Sequence, residues 1–339
     1  MKLHVERGVS LKPYNSFGID VLAAQFAEAH NDDQVRAAIA YAETQQLPLM
    51  LLGGGSNLLL TADVDALVLR MSGLGIRILS EDDQRVVVEA EAGEPWHPFV
   101  QWTLGHGLAG LENLSLIPGT VGAAPMQNIG AYGVEIKDLF VGLTALDRQT
   151  GEVREFNLQD CQFGYRDSLF KQEAGRWIIL RVRFALSRTA HLNLAYGPVK
   201  QRLSEEGIDK PTARDVSRAI CAIRSEKLPD PAVLGNAGSF FKNPVVCAEQ
   251  VEHLRRLHAD LVAYPQEDGQ FKLAAGWLIE RAGWKGCRDG DAGVHRLQAL
   301  VLVNYGNASG KQLLALARRI QADIKQRFAI ELEIEPNVV

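Results

Sequence analysis

The chain has 339 residues, of which 47% are hydrophobic and 23% are charged. These proportions are typical of a globular protein and exclude a disordered or fibrous chain, and the length predicts two or three domains. The formal net charge is −5, with 11 Lys/Arg against 22 Asp/Glu in residues 1–170 and 25 against 19 in residues 171–339. The second half is thus moderately positive without a dense basic tract, which argues against nucleic-acid binding and suits small anionic ligands.

Cysteine spacing and hydropathy indicate the compartment. The four cysteines form no CxxC pair, which predicts free core thiols in a reducing compartment rather than disulfides or a zinc site; they are Cys161, Cys221, Cys247 and Cys287. The N-terminus is charged, so we expect no signal peptide. The uncharged run 44–62 contains Pro48 and three consecutive glycines, which are incompatible with a membrane-spanning helix. We therefore expect a cytoplasmic protein.

Hydrophobic periodicity predicts mixed helices and strands. In the first half, helices are expected from Asp32 to Ala42 and over 95–104, with strands at 49–52, 58–60, 66–71, 76–79, 85–90, 142–147, 153–156 and 177–184. A polar segment around 187–210 predicts a domain boundary. Beyond it, the pattern predicts helices at 212–226, 248–260, 272–281 and 309–327, and strands at 299–304 and 330–335.

Two glycine-rich segments are candidates for ligand binding. The first, Gly53-Gly54-Gly55-Ser56-Asn57, follows a predicted strand, and it is either a phosphate-binding loop or a plain tight turn. It matches neither the Rossmann fingerprint nor a P-loop. The second lies within residues 105–133, which hold seven glycines. So much glycine costs folding entropy, which favours close approach of the backbone to a ligand over a simple surface loop.

Single polar side chains are less informative. Ser239 lies in the segment 235–244, which is not a nucleophile elbow, and by itself it is typical of a structural turn serine. Arg166 in the segment 164–168 could bind a carboxylate or form a surface ion pair. The cations of 224–231 complement the end of a helix without any functional role. The histidines show no ligand spacing, so we expect no metal site.

Taken together in chain order, these segments resemble a known family. The motifs 13–18, 53–57, 117–133, 163–168, 227–231, 235–244 and 332–335 closely resemble those of the UDP-N-acetylenolpyruvoylglucosamine reductase family, over essentially the whole chain. The tyrosine segments 194–197 and 263–266 resemble the longer, type I form, in which tyrosine-bearing loops close over the substrate. Two departures are that Ser16 replaces a common threonine and that the chain ends soon after Glu335.

The resemblance implies an α+β fold with two functional domains. An FAD-binding domain of the vanillyl-alcohol-oxidase (PCMH) type would cover residues 1–190, in two α+β subdomains of about 1–66 and 67–190. A C-terminal α+β substrate-binding domain would cover 191–335, and a final strand, 329–339, would return to the active site.

The resemblance also implies an enzyme of peptidoglycan precursor synthesis. NADPH would reduce non-covalently bound FAD, and UDP-N-acetylglucosamine enolpyruvate would then enter the same site and leave as UDP-N-acetylmuramate. Hydride would pass from N5 of the flavin to C3 of the substrate, and a serine would protonate C2. By similarity, Arg166 binds the substrate carboxylate, Ser239 is the proton donor, and Glu335 assists where negative charge develops, with Glu333 as the alternative because both would lie on one face of a strand.

The implied binding residues form two sets. The cofactor set is Asn15, Gly53, Gly54, Gly55, Ser56, Asn57, Pro118, Gly119, Thr120, Gly122, Ala123, Gln127, Asn128, Gly130, Ala131, Tyr132 and Gly133. The substrate set is Tyr165, Tyr196, Lys227, Asn243, Tyr264 and Gln298. We expect a monomer that binds neither membrane nor nucleic acid. The alternatives are another FAD-dependent sugar or alcohol oxidoreductase of the same fold, or a flavin-binding regulatory protein without turnover.

Overall fold

The computed structural model describes residues 3–266 and 268–339. In chain order, the strands are Val5–Ser10 (β1), Leu22–Ala29 (β2), Leu49–Leu52 (β3), Leu58–Leu59 (β4), Val64–Met71 (β5), Ile76–Glu81 (β6), Arg85–Glu91 (β7), Gly130–Ala131 (β8), Val134–Glu135 (β9), Phe140–Asp147 (β10), Val153–Asn157 (β11), Trp177–Ser187 (β12), Gly235–Asn236 (β13), Val245–Val246 (β14), Ala263–Pro265 (β15), Phe271–Leu273 (β16), Arg288–Asp289 (β17), Ala292–Val294 (β18), Leu302–Asn304 (β19) and Asn337–Val338 (β20).

The α-helices are Asp32–Thr44 (α1), Trp96–Gly105 (α2), Leu169–Gln172 (α3), Gly197–Glu205 (α4), Ala213–Lys227 (α5), Ala248–Leu257 (α6), Ala275–Arg281 (α7) and Gly310–Phe328 (α8). Short 3₁₀ turns occur between them, and the turn Val121–Gln127 is the one that matters for the site. In the described part of the chain, none of the helices is both long enough and apolar enough for a bilayer crossing.

The chain forms two compact units, and neither is continuous in sequence. The first contains the segment up to Val9, Ala23–Gly55 and Val64–Glu226. The second contains Ser10–Leu22, Ser56–Asp63 and Lys227–Val339. These units are geometric divisions, and the functional boundary at residue 190 stays a prediction.

The first unit contains two sheets of different kinds. A four-stranded sheet has the order β1-β2-β5-β3, in which β5 pairs in parallel with both β2 and β3. Helix α1 connects β2 to β3, as parallel pairing requires, and the side chain of Asn31 caps it by accepting the N–H of Gln34. A five-stranded antiparallel sheet has the order β11-β10-β12-β7-β6. It packs on α2 through buried Trp96, Phe99 and Phe184, whose rings lie 5.6–5.9 Å apart.

The second unit consists of short strands and α6–α8. One sheet has the order β13-β19-β18-β17 and another β14-β16-β15. Helix α8 begins with a capping box, in which Ser309 and Gln312 satisfy each other's backbone N–H groups. Its first residue, Gly310, packs so closely on the carbonyl oxygen of Leu60 that a Cβ atom would overlap it. Strand β20 pairs in parallel with β4, which joins the final residues to residues 58–59.

Most predicted elements are confirmed, and three differ. The predicted helix 272–281 is strand β16 followed by α7, and the predicted strand 299–304 is shorter, as β19. The predicted strand 330–335 was wrong: the segment is irregular apart from a single bridge between Ile334 and Phe241. The cysteines are free thiols, but only Cys161 is a buried core thiol, and Cys247 and Cys287 are exposed.

Candidate active site

The two glycine-rich segments meet backbone to backbone in the first unit. Strand β3 ends at Leu52, and the glycines that follow lie against residues 119–123. A Cβ atom on Gly54 would lie 2.9 Å from Cα of Gly119, and one on Gly53 would lie 2.9 Å from Oγ1 of Thr120. A Cβ atom at Gly54 would thus collide with backbone and one at Gly53 with the Thr120 side chain, so neither position has room for a side chain. Such a cradle fits the diphosphate of a dinucleotide, which peptide N–H groups bind.

Residues 117–133, hereafter the glycine-rich run, are held in shape by the elements around them. The N–H groups of Val121 and Gly122 donate to the carbonyls of Glu94 and Ala92 at 2.8 and 2.9 Å. Non-glycine residues adopt left-handed backbone conformations at three places, Leu116 just before the run (φ +59°), Asn128 (φ +44°) and Tyr132 (φ +51°). Left-handed backbone costs free energy for these residues, and it persists only where surrounding contacts enforce it.

The side chain of Asn128 makes several of the contacts that hold the run in this shape. Its side chain is fully buried, and its amide donates to Glu135 Oε2 at 2.8 Å and to the carbonyl of Gly164 at 3.1 Å. Its Oδ1 accepts the N–H of Lys137. The Asn128 side chain thus holds the run against the loop that carries Arg166, and its predicted contact with the cofactor stays a prediction.

Arg166 lies beside the glycine-rich run. Its own backbone is left-handed, with φ +55°, in a tight turn between Gly164 and Asp167. Its Nη2 donates to the carbonyl of Gly130 at 2.9 Å, and its guanidinium lies 5.4 Å from the ring centre of Tyr165. A strained backbone at a cation that is fixed on the run is typical of a functional position.

Two tyrosines and an arginine lie at the end of the run. The rings of Tyr132 and Tyr196 pack edge to face with their centres 5.1 Å apart. The guanidinium of Arg224 lies beside the side chain of Tyr132, and its Nε donates to the carbonyl of Leu116 at 3.2 Å. The sequence pattern predicts only a helix-end role for Arg224. The signal that it missed is non-local, because Leu116 precedes Arg224 by 108 residues.

In the second unit, Ser239 and Glu335 lie on neighbouring chain segments. The N–H of Glu335 donates to the carbonyl of Phe240 at 2.9 Å, and the N–H of Lys242 donates to that of Glu333 at the same distance. Phe240 is buried, whereas Ser239 is exposed. Gly238 before it has φ +70° and donates its N–H to Asn236 Oδ1. This left-handed turn presents the serine hydroxyl at the surface of the unit.

The environments of the two candidate glutamates differ. Glu333 is paired with Lys242, and its side chain is 68% exposed. Glu335 is half-buried beside the serine segment. The idea that both point to one face of a strand fails because this segment is not a strand. The local environment favours Glu335, and its catalytic role stays a prediction.

Other predicted substrate residues of the second unit lie near the start of α7. Asn243 Oδ1 accepts the N–H of Ala275 at 2.9 Å, and Gln298 lies next to Gly276. Tyr264 is 53% exposed on β15. Lys227 ends α5 and is exposed.

The remaining predicted cofactor residues in the second unit are Asn15, Ser56 and Asn57. The side chain of Asn15 is buried and bonds to the backbone of Leu11 and Ile19, so it stabilises its own turn. The carbonyl of Asn57 accepts the N–H of Asn337 at 3.0 Å. The structure therefore brings Arg166 together with the glycine-rich segments in one unit, and Ser239 together with Glu335 in the other.

Known proteins match both parts of the chain. Residues 23–157 match the model of an FAD binding domain, and residues 230–339 match that of the C-terminal domain of UDP-N-acetylenolpyruvoylglucosamine reductase. Similar curated proteins of this name include one from Pseudomonas fluorescens Pf-5, 75% identical over 338 residues, and one from Chromobacterium violaceum, 56% identical over 342 residues. Each comparison covers 100% of both chains.

A similar solved structure is the reductase from Thermus caldophilus, with a TM-score of 0.67 and 26% identity over 99% of both chains. A solvent-stable cholesterol oxidase shares the fold only, with a TM-score of 0.51 and 13% identity over 98% of this chain and 87% of its own. These matches confirm the α+β, PCMH-type fold class and FAD as the cofactor. The chain belongs to the UDP-N-acetylenolpyruvoylglucosamine reductase family, whose members are FAD-dependent oxidoreductases.

Proposed function

We propose that the protein reduces UDP-N-acetylglucosamine enolpyruvate to UDP-N-acetylmuramate, with NADPH as the reductant of its FAD. The names of full-length relatives support the substrate class. The observation that carries the proposal is the backbone pairing of Glu335 with Phe240, because it sets a carboxyl group beside the segment of an exposed serine. A hydroxyl and a carboxyl group on neighbouring segments can supply a proton to a carbon atom, which binding alone does not need.

The substrate determines what the protein must supply. Its enol ether carries a carboxylate, so hydride addition at C3 moves negative charge onto C2 and that carboxylate. When bound, FAD supplies hydride chemistry. Arg166 would bind the carboxylate through its guanidinium, whose fork matches two oxygens, and would stabilise the charge as it develops. Its hydrogen bond to the carbonyl of Gly130 supports this role by fixing the cation in advance.

The reaction ends with proton transfer to C2. Ser239 Oγ would give its proton to C2 and regain one from water. A serine is a weak acid, so it can act only towards a strongly basic, carbanion-like centre. Glu335 would act in its protonated form or through a water molecule, since a bare carboxylate would repel the developing charge.

Substrate binding would use the remaining predicted residues. Lys227 would meet the diphosphate, Tyr165, Tyr196 and Tyr264 would pack on the nucleotide sugar, and Asn243 and Gln298 would hydrogen-bond to it. The cradle of Gly53, Gly54 and the glycine-rich run would hold FAD without a covalent bond. We further propose a cytoplasmic monomer, consistent with the free cysteines.

The test separates the two half-reactions under anaerobic conditions. In a Ser239→Ala variant, NADPH should still bleach the flavin at the wild-type rate, whereas reoxidation by the enolpyruvyl nucleotide should slow at least about 100-fold, as expected for loss of a positioned acid. A Ser309→Ala variant removes a serine that caps α8 and should keep both half-reactions.

Unchanged reoxidation in Ser239→Ala would overturn the role of this serine. Wild-type flavin that is reoxidised only by oxygen, or that is reduced by a free sugar, would favour the alternative of a sugar or alcohol oxidoreductase. Release of the yellow cofactor on denaturation is the expected sign of non-covalent FAD.

A further inference from the structure

Arg224 joins the two ends of the glycine-rich run. Its Nε donates to the carbonyl of Leu116, which precedes the run, and its guanidinium lies beside the side chain of Tyr132 near the end of the run. Both partners are non-glycine residues with left-handed backbone. One arginine therefore contacts two of the three left-handed residues at the ends and within this cofactor-binding segment, the third being Asn128.

The charge of Arg224 has no acidic partner in the described part of the chain. Its hydrogen-bond acceptor is the Leu116 carbonyl, and the polar side chains nearest to its charge are those of Tyr132 and Cys221. His97 is near enough for the Arg224 charge to lower its pKa further, after burial, and its Nδ1 accepts the N–H of Leu116 at 2.9 Å, so it is neutral in this arrangement. The groups that face the guanidinium are therefore all uncharged.

Such a cation is costly. Arg224 is half-buried, and this burial lowers the pKa of its guanidinium. A desolvated arginine without a carboxylate destabilises a protein unless a ligand supplies the negative charge. Arginine is also the side chain that best binds phosphate and other planar or forked anions.

We propose that Arg224 closes the glycine-rich run and supplies the positive charge against which an anionic group of bound FAD lies. That group is either the diphosphate or the flavin ring, which gains negative charge on reduction. The proposal depends on FAD binding, which family membership shows, and it does not depend on the identity of the substrate or of the reductant.

The experiment compares three variants, using apoprotein titrated with FAD and the reconstituted holoprotein. Arg224→Gln removes the charge, and Arg224→Lys retains it without the fork. Arg214→Gln is the matched control, because Arg214 lies on the same helix and also donates to backbone carbonyls, those of Leu104 and Gly105. The measurements are the FAD dissociation constant, the flavin midpoint potential and the thermal midpoint of the apoprotein.

If the diphosphate is the anion, Arg224→Gln should weaken the binding of oxidised FAD by about 10- to 100-fold, the usual effect of losing a hydrogen bond to a charged group. The flavin midpoint potential should then stay unchanged. If the flavin ring is the anion, oxidised FAD should bind nearly as before and the potential should become more negative. In both cases Arg224→Lys should recover most of the loss, and Arg214→Gln should match the wild type.

Wild-type FAD affinity and midpoint potential in Arg224→Gln would overturn the proposal. Equal losses in Arg224→Lys and Arg224→Gln, together with a lower apoprotein thermal midpoint, would also overturn it, because the role would then be structural only. None of these measurements involves turnover, so failure of the proposed function would leave the result for Arg224 intact.

Discussion

At the residue scale, His97 links pH to the shape of the glycine-rich run. Its Nδ1 accepts the N–H of Leu116, which only an unprotonated nitrogen can do. Burial and then the charge of Arg224 lower its pKa. The unfolded chain therefore binds a proton at this histidine at a higher pH than the folded chain. This difference contributes stability that is complete above the ordinary histidine pKa, about 6.5, and is lost as the pH falls from there through the lowered pKa.

We predict that the thermal midpoint of the apoprotein falls less steeply between pH 7.5 and 5 in a His97→Gln variant than in the wild type. Part of the slope should persist, because burial and Arg296 also lower the pKa of His295. Thermal unfolding followed by circular dichroism at several pH values measures both slopes. Equal slopes in the two proteins would show that His97 is not responsible.

At this scale, the sequence predicts only the features that a local pattern specifies. Glycine density pointed to the cradle of Gly53 and Gly54, since consecutive glycines are visible in the sequence itself. The partners of Arg224 could not be predicted, because an arginine near the end of a helix is explained equally well by the helix dipole. Only the fold shows that Leu116 and Tyr132 lie beside it.

At the scale of elements, helix α8 depends on its N-cap and on its first residue. Ser309 caps the helix, and Gly310 lies against the carbonyl of Leu60 with no room for a methyl group. We predict that Gly310→Ala lowers the free energy of unfolding by about 2–3 kcal/mol, as overpacking against backbone does. Ser309→Ala should cost about 1 kcal/mol, the usual value of an N-cap.

Urea unfolding of both variants measures these losses in the free energy of unfolding. The transition to follow is the one in which the second unit unfolds. Gly310→Ala as stable as the wild type would mean that α8 shifts away from Leu60 at little cost. A larger loss for Ser309→Ala than for Gly310→Ala would contradict the ranking.

The elements that sequence predicted well are those with a strong pattern of their own. Helix α1 has an N-cap and apolar residues at helical spacing, and β5 and β7 are rich in branched residues. The segment 330–335 also alternates apolar and acidic residues, yet it is not a strand because only one bridge, from Ile334 to Phe241, gives it a partner. Alternation predicts which side chains are buried, and Leu332 is indeed buried, but pairing requires a neighbouring strand.

At the scale of the whole molecule, the final residues hold the second unit together. Strand β20 pairs with β4, and the N–H of Thr61 donates to the carbonyl of Val339 at 2.6 Å. We predict that deleting residues 337–339 lowers the thermal midpoint of the second unit. It should also slow reoxidation of the flavin by the nucleotide more than its reduction by NADPH, because the segment that contains Glu335 is then no longer anchored to β4.

Scanning calorimetry and the two anaerobic half-reactions test this prediction. A truncated protein with an unchanged thermal midpoint and unchanged half-reactions would show that β20 is dispensable. Equal slowing of both half-reactions would instead indicate general damage to the protein, which the Ser309→Ala variant helps to recognise.

The overall architecture was predictable only in part. The fold class followed from the order of motifs along the chain, which resemble a family, and from the alternation of helices and strands. The division into interleaved units did not, because it depends on pairings such as that between residues 58–59 and 337–338. No local pattern in the sequence specifies a partner so far away.

This interleaving has a consequence for how the protein is made. The first unit has all its residues once Glu226 has been synthesised, whereas segments 10–22 and 56–63 belong to a unit whose remaining residues begin at Lys227. At ordinary translation rates, the ribosome needs roughly 10 to 30 s to synthesise the chain from Asp63 to Lys227, and more to reach residue 339. Throughout that time, apolar residues such as Phe17 and Leu59 have no core to enter. Newborn chains should therefore offer chaperones two early binding sites, both of which disappear only after translation ends.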